Sequence, residues 1–204
     1  MLTQLKQAGV IAVMRKMTPD RVVDIVGALK DGGIKAVEIT VESEGGLESI
    51  QVVKEHFGDS LIVGAGTVLD GLTAKQTLAA GADFIVTPIV SLEAIQVANE
   101  ADCLIVSGAM TPTEIHTAHK AGATIIKVFP ADSLGADYLK NIQGPLPHIP
   151  LMPTGGINLD NIGSYVRNGS ICIGIGSAIY QYNTTDEIQE AAETFLDAYQ
   201  NALL

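Results

Sequence analysis

Apolar and polar positions along the chain fall into two alternating textures. Short runs rich in Val and Ile occur at 10–14, 35–41, 61–65, 83–87, 103–107, 123–128, 149–152 and 171–175, each of a length suited to a buried strand. The segments between them carry the period of amphipathic helices. Val22, Val23, Val26 and Leu29 recur within 19–31, and Ile188, Ala191, Ala192, Phe195 and Leu196 within 185–203. The strand centres Ala12, Val37, Ile62, Ile85, Ile105, Ile126, Leu151 and Ile173 follow one another at intervals of 20 to 25 residues. That interval holds one strand, one helix and two tight loops.

Helix boundaries are written into the same pattern. Thr18-Pro19-Asp20 and Thr111-Pro112-Thr113-Glu114 place a capping hydroxyl before a proline at the first helical position. The second stretch adds the glutamate of a capping box. Gly32-Gly33, Gly81 and Gly122 each stop a helix just before a strand. Residues 2–9 predict a short extra helix that plugs the bottom of the assembly. Eight strand–helix units imply a parallel sheet, and eight parallel strands close most readily into a barrel. An open doubly wound sheet would want fewer strands and a GxGxxG turn after the first, which this chain lacks. The expectation is an α/β fold, a TIM (β/α)8 barrel in short form with an extra N-terminal helix, occupying 1–204 as a single domain.

Composition narrows the partners. The chain has 204 residues, 47% of them hydrophobic and only 17% charged, with 21 glycines; it is long enough to bury a full core. Its net charge of −11 repels nucleic acid, and no basic stripe offsets it. There is no Trp, and aromatics make up 4%, too few for base-stacking platforms. The longest apolar stretches, such as 61–69, are too short to span a bilayer, and no signal peptide is expected. Cys103 and Cys172 read as buried strand thiols, unpaired, in a reducing cytoplasm.

The chemistry concentrates at strand ends. Lys127 lies in the apolar stretch Thr124-Ile125-Ile126-Lys127-Val128-Phe129-Pro130-Ala131. Burial disfavours its ammonium, and a neutral amine can attack a carbonyl to form a Schiff base. The alternative is a strand-end lysine that reaches solvent along its stem. Strand alternation turns Ala36, Glu38 and Thr40 into the barrel and Val37, Ile39 and Val41 toward the helices. Strands two and six are both even-numbered and share interior layers, so Glu38 and Lys127 can face one another, either across a small substrate or as a structural ion pair. Pro153-Thr154-Gly155-Gly156-Ile157 and Ile173-Gly174-Ile175-Gly176-Ser177-Ala178 end strands seven and eight. Loops at these places build the phosphate site of many barrels from backbone N–H groups and a helix N-terminus, although tight turns alone also ask for glycine.

Val63-Gly64-Ala65-Gly66-Thr67-Val68 opens space at the end of strand three and offers the Thr67 hydroxyl; its glycines also suit a bulky interior neighbour. Arg15 follows strand one and could hold a carboxylate or sit solvated at the surface. His116 and His119 share a helix face, but only Glu114 accompanies them, short of the three convergent ligands of a catalytic metal. No metal or cofactor is expected.

VEIT at 37–40, VGAGTV at 63–68, DFIVTP at 83–88, KVFPA at 127–131, PTGGI at 153–157 and GIGSA at 174–178 resemble, in order and over essentially the whole chain, the 2-keto-3-deoxy-6-phosphogluconate (KDPG) aldolases, also called 4-hydroxy-2-oxoglutarate (KHG) aldolases. The resemblance implies a class I aldolase without metal, in a short TIM barrel that assembles as a cytoplasmic homotrimer. It implies cleavage of a phosphorylated keto acid to pyruvate and glyceraldehyde 3-phosphate, with KHG, cleaved to pyruvate and glyoxylate, as a further substrate. The same chemistry on 2-keto-3-deoxy-6-phosphogalactonate, or a phosphosugar-binding barrel with no lyase activity, are the alternatives. By the resemblance Lys127 forms the Schiff base and Glu38 is the general acid/base. Thr67 contacts the pyruvyl carboxylate, Pro88 lines the pocket, and Gly155, Gly156, Gly176 and Ser177 cradle phosphate. One position departs: studied relatives carry an arginine four residues beyond the catalytic glutamate, where this chain has Glu42. A carboxylate there repels the substrate's own unless it points away, and the carboxylate-binding role moves to Arg15.

Overall fold

In the computed structural model, which describes residues 1–204, the strands are β1 (Val10–Met14), β2 (Ala36–Thr40), β3 (Ile62–Gly66), β4 (Phe84–Val86), β5 (Leu104–Ala109), β6 (Ile125–Val128), β7 (Leu151–Pro153) and β8 (Ile173–Ile175). All pair in parallel, in the order β7-β6-β5-β4-β3-β2-β1-β8, and a parallel bridge between Thr154 and Gly174 joins the outer two strands. The barrel is thereby closed, as eight βα units predict.

Period-two alternation sorts the strand residues into two apolar layers. Ile11, Ala36, Phe84, Val86, Val106, Ile125 and Met152 belong to an interior cluster, while their neighbours Ala12, Val37, Ile85, Ile105, Ile126 and Leu151 pack outward under the helices. The first helix, α1 (Leu2–Ala8), sends Leu5 and Ala8 into the interior cluster and plugs the barrel as expected.

The helix α2 (Pro19–Asp31) has the expected bounds, but its buried stripe runs through Val22, Ile25, Val26 and Leu29. Ile25 takes the place given to Val23, because positions i, i+3, i+4 and i+7 share a face. Thr18 makes no side-chain cap bond, whereas Thr111 and Glu114 form the full capping box of the helix Pro112–Lys120. The last helix spans Thr185–Asn201 and buries Ile188, Ala191, Ala192, Phe195 and Tyr199. Cys103 and Cys172 each stand one residue before a strand rather than within it. Both are free, Cys172 buried and Cys103 half-buried. Burial pushes the Cys172 thiol up to about 12. Burial, with the nearby Asp83 and Asp102 carboxylates, pushes Cys103 up to about 11.

Candidate active site

The C-terminal ends of the strands hold the polar side chains that the core otherwise excludes. On β6, Ile125 faces the barrel axis and Ile126 the helices, so alternation turns Lys127 inward, in register with Gly108 and Met152. On β2, Glu38 is in register with Val13 and Gly64. Both side chains are almost wholly withdrawn from solvent, at 2% and 0% exposure. Lys127 Nζ donates to Glu38 Oε1 at 3.3 Å and sits 5.4 Å from the centre of the Phe129 ring.

Two glycines of β3 make this arrangement possible. A methyl group at Gly64 would strike the Phe84 ring, and one at Gly66 would strike the Glu38 carboxylate. One glycine thus admits a bulky interior neighbour, and the other admits the glutamate. The next residue, Thr67, holds a left-handed backbone with φ of 58°. That conformation is uncommon for a β-branched residue and tends to mark functional sites. Pro88 follows β4 with its backbone against Gly108.

Glu38 Oε2 is buried and has no hydrogen-bond partner in the protein. Thr154 Oγ1 is in the same condition. Buried polar atoms are nearly always satisfied, so two orphans at one mouth call for an explanation. Thr154 lies inside the PTGGI stretch, where residue type and spacing alone give it no role. Its one local signal is the glycine at 174, where any Cβ would collide with the threonine side chain.

Beside this pair a hollow of about 270 Å³ opens between the loops of β1, β6, β7 and β8, lined among others by Arg15, Thr154, Gly155, Gly156, Gly176 and Ser177. Gly155 and Gly156 hold φ of 98° and 70°, a conformation that L side chains resist. The N–H groups of Gly155, Gly156 and Gly176 donate to no group in the protein. The expected helix N-terminus does not contribute: the helix after β7 begins only at Ile162, and Ser177–Ile179 is a single 3-10 turn. The hollow therefore offers loop amides.

Arg15 stands at the mouth, where it lines the hollow and places Nη1 3.6 Å from Glu42 Oε1. Glu42 thus points toward a cation. His119 stacks edge-on against His148 rather than joining His116, with ring centres 5.3 Å apart, and no three His, Cys, Asp or Glu side chains gather as a ligand set. Glu38 lies midway along β2 and Lys127 one residue short of the end of β6, Thr67 and Pro88 lie just beyond β3 and β4, and Arg15, Gly155, Gly156, Gly176 and Ser177 line the adjoining hollow. A buried amine against a carboxylate, with open amides alongside, can bind an anionic carbonyl compound and transfer protons to it.

The family profile described as "Aldolase: KDPG and KHG aldolase" matches residues 1–193. The chain is 33% identical over 195 residues to the 2-dehydro-3-deoxy-6-phosphogalactonate aldolase of Escherichia coli K12, covering 95% of each chain. It is 36% identical over 177 residues to the 2-dehydro-3-deoxy-phosphogluconate aldolase of Pseudomonas aeruginosa, covering 84% of this chain and 79% of that one. Among solved structures, the KDPG aldolase of Legionella pneumophila, with pyruvate captured at low pH as a covalent carbinolamine, superposes with a TM-score of 0.88 at 26% identity, over 95% of this chain and 97% of that one.

Proposed function

The chain belongs to the KDPG and KHG aldolase family, and from that premise we propose that it is a Schiff-base lyase cleaving 2-keto-3-deoxy-6-phosphogluconate to pyruvate and glyceraldehyde 3-phosphate. The observation that carries the reading is the buried Lys127–Glu38 contact at the barrel mouth, beside a hollow of loop amides.

The chemistry follows from the groups present. Glu38 accepts the proton of the Lys127 ammonium across their hydrogen bond, and the free amine attacks the C2 carbonyl of the keto acid. The resulting carbinolamine loses water, with Glu38 returning a proton to the departing hydroxyl. The protonated imine then draws in the electron pair of the C3–C4 bond as it breaks. Glu38 takes the proton of the C4 hydroxyl, which becomes the aldehyde, and Oε2 is the oxygen with no other partner. Protonation of the enamine at C3 and hydrolysis of the imine release pyruvate and the lysine. Thr67 meets the pyruvyl carboxylate and Pro88 walls the pocket. Thr154 Oγ1 meets a substrate hydroxyl, and the amides of Gly155, Gly156, Gly176 and Ser177 hold the phosphate. The captured carbinolamine of the Legionella relative supports the covalent route.

The alternative substrate is the galactonate epimer, favoured by the name of the E. coli relative, which aligns over 95% of both chains, with unphosphorylated KHG as a further one. Five exposed apolar side chains follow β3, β4 and β5: Leu69, Ile89 and Met110 on the loops, Leu72 and Leu92 in the first turns of the helices Gly71–Ala79 and Leu92–Glu100. An apolar patch of this kind suits burial between subunits and supports a homotrimer. No helix is long and apolar enough to cross a membrane, which is compatible with a cytoplasmic site of action.

Borohydride reduction in the presence of pyruvate, followed by peptide mapping, tests the mechanism. The expected result is a pyruvyl adduct on Lys127, and its absence would refute the imine route. Turnover compared on the gluconate, the galactonate and KHG assigns the substrate.

A further inference from the structure

Among the mouth residues, Arg15 has two competing anion sites within reach. The order of strands places β1 between β2 and β8. Glu42, two residues beyond β2, therefore lies on one side of Arg15, and Gly176 and Ser177, just beyond β8, lie on the other. The backbone of Arg15 is tied in place, its N–H donating to the Tyr180 hydroxyl at 3.1 Å. Its side chain is not: the Arg15 side chain is 45% exposed, the Glu42 side chain is 32% exposed, and the two groups come within 3.6 Å. A fully formed charge-assisted bond would be about 2.7–2.9 Å. The pair is loose and open to solvent, the regime in which an ion pair is easily given up.

We propose that Glu42 sets the substrate preference of the enzyme by holding Arg15 on the β2 side of the mouth until a phosphate in the hollow draws it to the β8 side. The inference rests on the reading of that hollow as the phosphate end. It moves Arg15 from the substrate carboxylate, its expected partner, to the substrate phosphate. A phosphate monoester carries about −1.5 to −2 charges near neutral pH, against one on Glu42, and presents oxygens to the planar guanidinium in bidentate fashion. It therefore displaces Glu42, whereas an uncharged tail leaves the pair intact. In a chain of net charge −11, displacing Glu42 offsets part of what the phosphate gains, so Glu42 narrows the preference for phosphorylated over unphosphorylated acids. The amides of Gly155 and Gly156 supply the rest of the affinity without charge.

A double-mutant cycle over Arg15→Met and Glu42→Gln tests this, with wild type, both single variants and the double variant. Calorimetry with glycerol 3-phosphate at low salt is read alongside KM and kcat for 2-keto-3-deoxy-6-phosphogluconate and its unphosphorylated counterpart. E42Q is expected to tighten the phosphate and lower the KM of the phosphorylated acid by about two- to fivefold, the range of exposed ion pairs. The KM of the unphosphorylated acid does not follow, and the effect vanishes in the R15M background. A change shared by both acids, or one that persists without Arg15, overturns the proposal. So does wild-type protein that binds no glycerol 3-phosphate. Failure to trap pyruvate on Lys127 in the same preparations refutes the imine route instead, while the calorimetric cycle still decides the role of Glu42.

Discussion

Lys127 Nζ lies 3.3 Å from Glu38 Oε1 across the barrel interior, joining two strands whose contacting residues are 89 positions apart. Neither side chain has appreciable access to solvent, so each is the chief electrostatic neighbour of the other.

Glu38→Gln keeps the shape of the side chain but removes its ability to take a proton. The expected outcome is a loss of about 10²–10⁴ in kcat, the usual contribution of a positioned acid/base. Steady-state turnover checks it, and a loss below tenfold would exclude Glu38 as the acid/base.

Gly66→Ala drives a methyl group into the Glu38 carboxylate. Overpacking of this kind costs about 1–3 kcal/mol, and the displaced carboxylate lowers turnover as well. Gly144→Ala is the contrast, because its added methyl meets nothing nearer than 3.5 Å and its backbone is ordinary right-handed helix, with φ of −54° and ψ of −64°. Thermal unfolding of both variants should show a lowered Tm for the first and a change within about 0.5 kcal/mol for the second.

Thr111→Ala breaks a complete capping box and should cost about 1 kcal/mol. Thr18→Ala should cost less, since Thr18 makes no cap bond. Bonds from the Met110 and Thr111 backbone amides and the Thr111 hydroxyl hold the Glu114 carboxyl below its usual range. A lowered folded-state pKa stabilises above the unfolded value and fades as pH falls through the folded one. The penalty of Thr111→Ala should therefore shrink in acid. Denaturant titrations at neutral and acid pH check both statements.

The two thiols, raised by burial to about 11 and 12, carry almost no thiolate at pH 8, and the thiolate is the reactive form. A disulfide reagent should leave both nearly untouched in the native protein and titrate both in denaturant. Rapid native labelling of Cys172 would contradict its placement in the barrel interior.

Leu72 is 69% exposed on the apolar patch assigned to the subunit interface. If the proposed trimer buries this patch, Leu72→Glu should give monomer in sedimentation velocity, with little effect on the fold of each subunit. An assembly unaffected by the change would move the interface elsewhere.

Period and punctuation alone determined the barrel. Eight apolar runs at near-constant spacing, helical stripes between them and glycine stops define βα units that bury their apolar faces in only a few ways. The inward turn of Lys127 and Glu38 was legible for the same reason, since strand alternation is local. What remained open was whether Lys127 reaches solvent or Glu38, because that depends on curvature bringing β6 against β2 at one height in the barrel. Thr154 has no such local mark, because an orphaned hydroxyl is defined by the absence of neighbours, a tertiary property. The Arg15–Glu42 contact joins loops after different strands and has no local signature either. Local periodicity fixed the elements and their faces; distances between side chains, and which polar atoms are left without partners, are set only when the sheet closes.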